Sequence, residues 1–169
     1  VGSTCNNTTP SAAFFEGKLY VAFTDTNQNI NIAICSGSPQ DSSNWTSYKV
    51  VTTVNESTAY SPTLIEENGR LGLYFPTNNK VSGFNNYNTT YQMLRYLYSV
   101  DPSDTSSNGN WGSTFDATQG NYSGISGQLD YEVTSPIAAT TFQGRTVLAF
   151  RSFSSSGFGF GTGNGDILL

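Results

Sequence analysis

The sequence predicts an all-β fold assembled from a repeated antiparallel unit, and three observations predict it. One segment occurs three times, at residues 9–23, 61–75 and 135–150. In each copy a hydroxyl residue precedes Pro, a Gly follows 7 or 8 positions after that Pro, a basic residue comes next, and a Phe closes the copy 6 positions after the Gly. Within each copy two apolar, β-forming runs flank a turn signal. Finally, no stretch sustains a helical period over three turns, because Gly, Pro and β-branched residues interrupt every candidate.

Each copy reads as a β-hairpin. Pro fixes φ and lacks a donor, so it suits the first residue of a strand. Glu16-Gly17, Asn68-Gly69 and Gln143-Gly144 supply the turn, Asn-Gly being the strongest short hairpin signal. The second strands, 18–23 and 145–150, are almost continuously apolar, as expected of strands covered on both faces. In unit one a third strand follows at 30–34, where Ile30, Ile32 and Ile34 share a face, then a turn-rich loop at 36–44 and a fourth strand at 45–51. Unit two begins near Tyr60 and has longer connections: an Asn-rich loop at 76–91 containing Phe84, Tyr87 and Tyr91, a third strand at 92–99, and a fourth opened by Trp111. Unit three begins near Thr134 with its hairpin, followed by a Gly/Ser/Phe loop at 152–165 and a third strand at 166–169, with no fourth.

Four strands recurring with a period near 50 residues mark one blade of a β-propeller. The expectation is a single domain over 1–169 with four-stranded antiparallel blades at about 9–53, 60–118 and 134–169. A two-sheet sandwich is the alternative. Propellers close with roughly four to eight blades, so the ring is expected to be completed by oligomerisation or by sequence not in hand. A homodimeric six-bladed ring is the leading expectation. An unfinished third unit leaves a strand edge that invites pairing, and residues 1–8 of a neighbour are a candidate to fill it.

Composition narrows function. Charged residues are 11% of the chain, the formal net charge is −5 and there is no His. A weakly acidic chain without a basic cluster is a poor nucleic-acid binder, and lacking His removes the Ser-His and Cys-His dyads and the commonest zinc ligand. With 10 Tyr and 11 Phe against 7 Lys plus Arg, the profile is that of a secreted, strand-rich protein with a polar, weakly charged surface. Asn6, Asn7, Asn44, Asn55, Asn88 and Asn121 each open an N-glycosylation pattern. No apolar run approaches the roughly 20 residues of a membrane span. The chain has neither an initiating Met nor a signal peptide, so it reads as processed or excised from something longer. Cys5 and Cys35 either bridge in an oxidising compartment or remain two thiols.

The order of Ser-Pro, apolar strand, Asn-Gly-Lys/Arg, apolar strand ending in Phe, third strand, loop and Asn-Trp resembles the blades of sialidase-like and lectin-type β-propellers. Ser99-Val100-Asp101 and Gly109-Asn110-Trp111 resemble the two halves of an Asp-box, split by an insertion; Ser36, Asp41, Asn44 and Trp45 are a looser version. The resemblance implies that ligands use the face carrying the loops after each second strand and the blade-to-blade connections. Asp25 and Arg151 directly follow second strands, Asn27 lies in the same loop as Asp25, and Tyr87 lies in the second such loop. Tyr60 and Tyr131, with Glu56 and Glu132 near them, lie in connections. These eight are the candidate ligand-binding residues: a Tyr platform for a sugar ring, with donors and acceptors for its hydroxyls. Arg95, inside a third strand, either pairs locally or reaches ligand.

Other candidates read as structural. Arg70 and Arg145 share the turn position of Lys18 and read as solvated turn residues, while Trp45 and Trp111 read as packing between blades. No pair of acids recurs in a glycosidase arrangement, and neither the Tyr–Glu pair nor the three arginines of a sialidase can be placed. The loop 25–29 lacks the Gly and closing Glu of an EF-hand. The reading is therefore a secreted, non-catalytic, carbohydrate-binding module without metal or cofactor, whose partners are glycans and a second copy. The alternatives are an assembly protein joined through open blade edges and a fragment of a sialidase-like glycoside hydrolase.

Overall fold

The computed structural model describes residues 8–50, 58, 60–76, 81–82, 90–91, 94–112, 115–116, 131–133, 136–150 and 152–154. Unit one is a four-stranded antiparallel meander of β1 (Ser11–Phe15), β2 (Lys18–Thr24), β3 (Ile30–Cys35) and β4 (Trp45–Lys49), in that spatial order. Unit two opens with β5 (Thr63–Glu67) and β6 (Arg70–Pro76), sets a small hairpin of β7 (Val81–Ser82) and β8 (Thr90–Tyr91) into the long connection, and continues with β9 (Leu94–Ser99) and β10 (Phe115–Asp116). Its sheet order is β10-β9-β6-β5, the same meander as unit one. Unit three contains β11 (Tyr131–Val133), β12 (Ala138–Phe142), β13 (Arg145–Ala149) and β14 (Ser152–Ser154). The fold is thus all-β with antiparallel sheets, as the repeat predicts.

All three turns have the backbone that their residues suggest. Glu16, Asn68 and Gln143 have φ of 46°, 50° and 49°, and the following glycines 76°, 76° and 71°. Positive φ at both central positions defines a type I′ turn, whose twist matches that of the strands it joins. Two expectations need correction. Residues 152–154 form a strand where a loop is expected, and they pair with Tyr131–Val133, where a connection is expected. The reason is nesting: β11 precedes β12 as β14 follows β13, so the turn that brings β12 to β13 also brings β11 to β14, as a separate two-stranded sheet. Trp111 likewise comes before β10 and does not open it. The third strand expected at 166–169 lies outside the described residues.

Opposed residues of an antiparallel pair share a face, so the registers sort the side chains. Unit one turns Phe15, Tyr20, Ala22, Ile30, Ile32, Ile34 and Tyr48 toward Leu64, Leu71, Leu73, Phe75 and Leu97 of unit two, and together these form the larger core. The opposite face of unit two, carrying Ile65, Tyr74 and Leu94, packs against Ile137 and Phe150 of unit three. Strand β1 lies beside β5, and β5 beside β12. The three units therefore stack face to face in sequence order, with unit two in the middle.

The junctions carry matching polar stitches. Aligned on the turn glycine, Ser11 and Thr63 both stand six residues before it. Ser11 Oγ accepts from the Leu64 N–H at 3.0 Å, and Thr63 Oγ1 donates to the Ile137 carbonyl. Turns also meet, as Asn68 Nδ2 donates to the Gly144 carbonyl at 3.2 Å.

Candidate functional site

Two polar sites lie at these junctions, at opposite ends of the strands. The first is at the end remote from the turns, between units one and two. Asp25 follows β2 and closes its loop on itself: its carboxylate accepts from the Asn27 N–H (2.9 Å), the Asn29 N–H (2.9 Å) and the Asn29 amide (2.9 and 3.2 Å). Partial burial opposes the charge, but the hydrogen bonds from Asn29 and Asn27 outweigh it and hold the carboxyl below its usual range. The loop is then tied to the next unit, because the Thr58 N–H donates to the Gln28 carbonyl at 3.0 Å. Thr58 Oγ1 in turn accepts from the Tyr60 N–H at 3.1 Å, and Ser61 Oγ accepts from the Thr9 N–H at 2.8 Å. Buried Thr24 bonds Thr8. Asp25, Asn27 and Tyr60 are thereby gathered on one hydrogen-bonded rim, with Asn27 exposed and Tyr60 half-buried.

Sequence reasoning missed the second site. At the turn end, between units two and three, Glu67 is 2% exposed. One carboxylate oxygen, Oε2, accepts from the Tyr74 hydroxyl at 3.0 Å and from the Thr146 hydroxyl of unit three; the other accepts from the Tyr96 hydroxyl and lies 3.4 Å from Arg70 Nε. Three hydroxyl donors and the Arg70 charge compensate an acceptor-only group, which is what allows a carboxylate to be buried. Tyr74 and Tyr96 stack with centroids 4.6 Å apart, and the Arg70 guanidinium covers the Tyr98 ring at 4.6 Å. Arg70 is therefore an ion-pair and cation–π partner more than a solvated turn residue, whereas Arg145 is exposed as expected. Gly72 makes the room: a Cβ there would come within 2.8 Å of Glu67 Oε1.

This network brings together the Tyr–Glu pairing that the sequence could not place, but in a form unsuited to nucleophilic attack. A nucleophile is activated by an adjacent base or a lowered pKa. Burial first, then the Glu67 charge and hydrogen bond, push the Tyr74 and Tyr96 hydroxyls well above the usual tyrosine range. Both Glu67 oxygens are already committed. The arrangement clamps two units together, with Arg70, Tyr96, Tyr98 and Thr146 half-buried around Glu67.

Each connection between third and fourth strands is capped by an Asp, which is the expected Asp41 in unit one but is not the expected Asp101 in unit two. Asp41 accepts from the Ser43 N–H and hydroxyl at the start of a 3₁₀ turn, and Trp45 Nε1 donates to the Pro39 carbonyl at 3.0 Å. In unit two the capping acid is Asp104. Its carboxylate accepts from Ser106, Ser107 and Asn110, bonds that draw its pKa down to about 2. Trp111 packs against the larger core and donates to the Tyr48 hydroxyl at 3.1 Å, which donates to the Pro102 carbonyl at 2.8 Å. The packing role thus holds for Trp111, while Trp45 serves its own loop.

Of the remaining candidates, Tyr131 and Glu132 lie in β11, and Glu56, Tyr87 and Arg151 lie outside the described residues. Cys35 is a buried free thiol donating to the Gly37 carbonyl at 3.3 Å; Cys5 lies outside the described residues. Among the described residues no group of three or more His, Cys, Asp or Glu could hold a metal ion, and no helix is long and apolar enough to cross a membrane. Set against known protein families and curated proteins, the chain matches none.

Proposed function

We propose that this chain is a propeller-type repeat module that binds glycans without turning them over, its binding rim formed where successive units meet. The observation that carries this reading is the hydrogen-bonded chain that joins the loop of Asp25 and Asn27, through the Thr58–Gln28 bond, to the backbone of Tyr60. Loop and connection come from different units, so a ligand there would touch both. The rim offers what a sugar needs: amide and hydroxyl groups for its hydroxyls and a half-buried Tyr for its apolar face. Serial face-to-face stacking of meanders, with first strands adjacent, supports the radial blade arrangement. Glu67, held by three hydroxyl donors and an ion pair, is committed to the junction and not offered to a substrate.

A glycan array tests this reading, with fluorogenic glycosides as the control for turnover. The expected result is binding to a defined set of glycans, no hydrolysis, and affinity lowered about tenfold or more in Asn27→Ala and Tyr60→Ala. An array with no signal, or binding indifferent to both substitutions, would end the proposal.

A further inference from the structure

Among the described residues the stack of three units has two outward faces, and the chain itself indicates what fits them. Aligned on the turn glycine, Phe142 of unit three stands where Phe15 stands in unit one and Glu67 in unit two. Phe15 is 5% exposed beneath unit two, and Glu67 is buried beneath unit three, yet Phe142 is 64% exposed. Ala138, Thr140, Val147 and Ala149 share its face by register. At the other end of the stack, Leu19 and Val21 of unit one stand where Leu71 and Leu73 stand in unit two. Those leucines are wholly buried beneath unit one, whereas Leu19 and Val21 are only half-buried and Phe14 beside them is 67% exposed. Exposed apolar faces of this kind mark interaction surfaces.

The two faces are different and complementary. Unit three presents the kind of face that units one and two cover with their successor. Unit one presents the kind that units two and three turn toward their predecessor. We propose that a second copy of this chain completes the series: the outward face of unit three in one chain stacks on the outward face of unit one in another, in the register that joins unit one to unit two within the chain. Such a contact is heterologous, so it closes into a ring when the rotation permits and otherwise extends. Phe142 of one chain then meets Leu19, Val21 and their neighbours of the next, as Phe15 meets the unit-two leucines. The inference does not depend on glycan binding.

The experiment is sedimentation velocity over a concentration series on the wild-type chain, Phe14→Asp, Phe142→Asp, and an equimolar mixture of the two variants. Both side chains are exposed, and unchanged circular dichroism and melting would show that the fold survives. The wild type is expected to associate with rising concentration. Each variant alone should lose association by about tenfold or more in Kd, because every copy carries the same spoiled face. The mixture should regain one good contact, Phe142 of the Phe14→Asp chain on Phe14 of the Phe142→Asp chain, and stop at a heterodimer. A wild type that remains monomeric throughout, a variant that still self-associates, or a mixture that stays monomeric would each overturn the proposal.

Discussion

The two junctions inside this chain use equivalent faces of equivalent sheets and are filled in opposite ways. Between units one and two, Phe15 and Tyr20 meet edge to face with centroids 6.4 Å apart, Ala22 lies beside them, and leucines close the layer. Between units two and three the same three positions are Glu67, Gly72 and Tyr74. Phe has become a carboxylate, Tyr has lost its side chain, and Ala has become Tyr. The exchange is coupled, because Gly72 leaves the space that the carboxylate occupies and Tyr74 supplies one of its donors. The difference teaches that the repeat specifies backbone and register, while the filling of each junction is separately chosen. An apolar junction tolerates sliding, since dispersion and burial have no direction. A buried carboxylate with three hydroxyl donors and an ion pair fits one registration of unit three and penalises the rest.

Breaking each junction at its centre should therefore give different signatures. Glu67→Ala leaves the Tyr74, Tyr96 and Thr146 hydroxyls without their acceptor and Arg70 without its counter-charge, and removing one partner of a buried charged network costs about 3–5 kcal/mol. Leu73→Ala at the other junction costs a comparable or smaller amount, about 2–4 kcal/mol, as lost transfer energy plus a cavity. Urea denaturation measures both. Additivity separates the mechanisms: Glu67→Ala combined with Thr146→Val should cost less than the sum of the two single changes, because they share a hydrogen bond. Leu73→Ala combined with Thr146→Val should be additive. Full additivity in the first pair would mean that Glu67 does not hold unit three.

The polar junction should also be sensitive to alkali. Tyr74 and Tyr96 have folded-state pKa values raised above the ordinary value, near 10, first by burial and then by Glu67. Above that value the unfolded chain has released these protons while the folded chain retains them, so stability is full below about pH 10 and falls as pH rises toward the folded values. Tyr48 at the apolar junction is raised as well, mainly by burial. Tyr74→Phe should therefore flatten part of the decline above about pH 10 in pH-dependent chemical denaturation, and Glu67→Gln should also flatten it by removing the charge that opposes tyrosinate. An alkaline limb unchanged by both would place the proton linkage at the apolar junction, where burial raises Tyr20 as well as Tyr48.

What was legible in the sequence was what neighbouring residues decide. Glu16-Gly17, Asn68-Gly69 and Gln143-Gly144 announce type I′ turns because φ preference is local, and the alternation of Ile30, Ile32 and Ile34 announces a buried face. The Asp25 loop could be placed because it follows its strand directly. The Glu67 network could not, since its partners lie 29 and 79 residues away at Tyr96 and Thr146, and pairing over that distance follows from stacking order alone. The one trace it left is a Glu two residues before the turn glycine where both other copies have Phe. The β11–β14 pairing was hidden likewise, because 131–133 and 152–154 resemble connections until the hairpin between them brings them together.

The smallest test concerns the hydroxyl stitches. Ser11 and Thr63 occupy the same turn-aligned position and bond the following unit, one as acceptor and one as donor, and Ala138 holds that position in unit three. Ser11→Ala and Thr63→Val should each cost about 1 kcal/mol, the net worth of one hydrogen bond, measurable as a lower urea midpoint with unchanged slope. Ala138→Ser adds a hydroxyl that meets no following unit among the described residues, so an isolated chain should gain nothing in stability. If a second copy stacks on that face, the added serine meets the backbone of that copy's unit one. The variant should then associate a few-fold more tightly than wild type, while its unfolding midpoint at low concentration stays where it was.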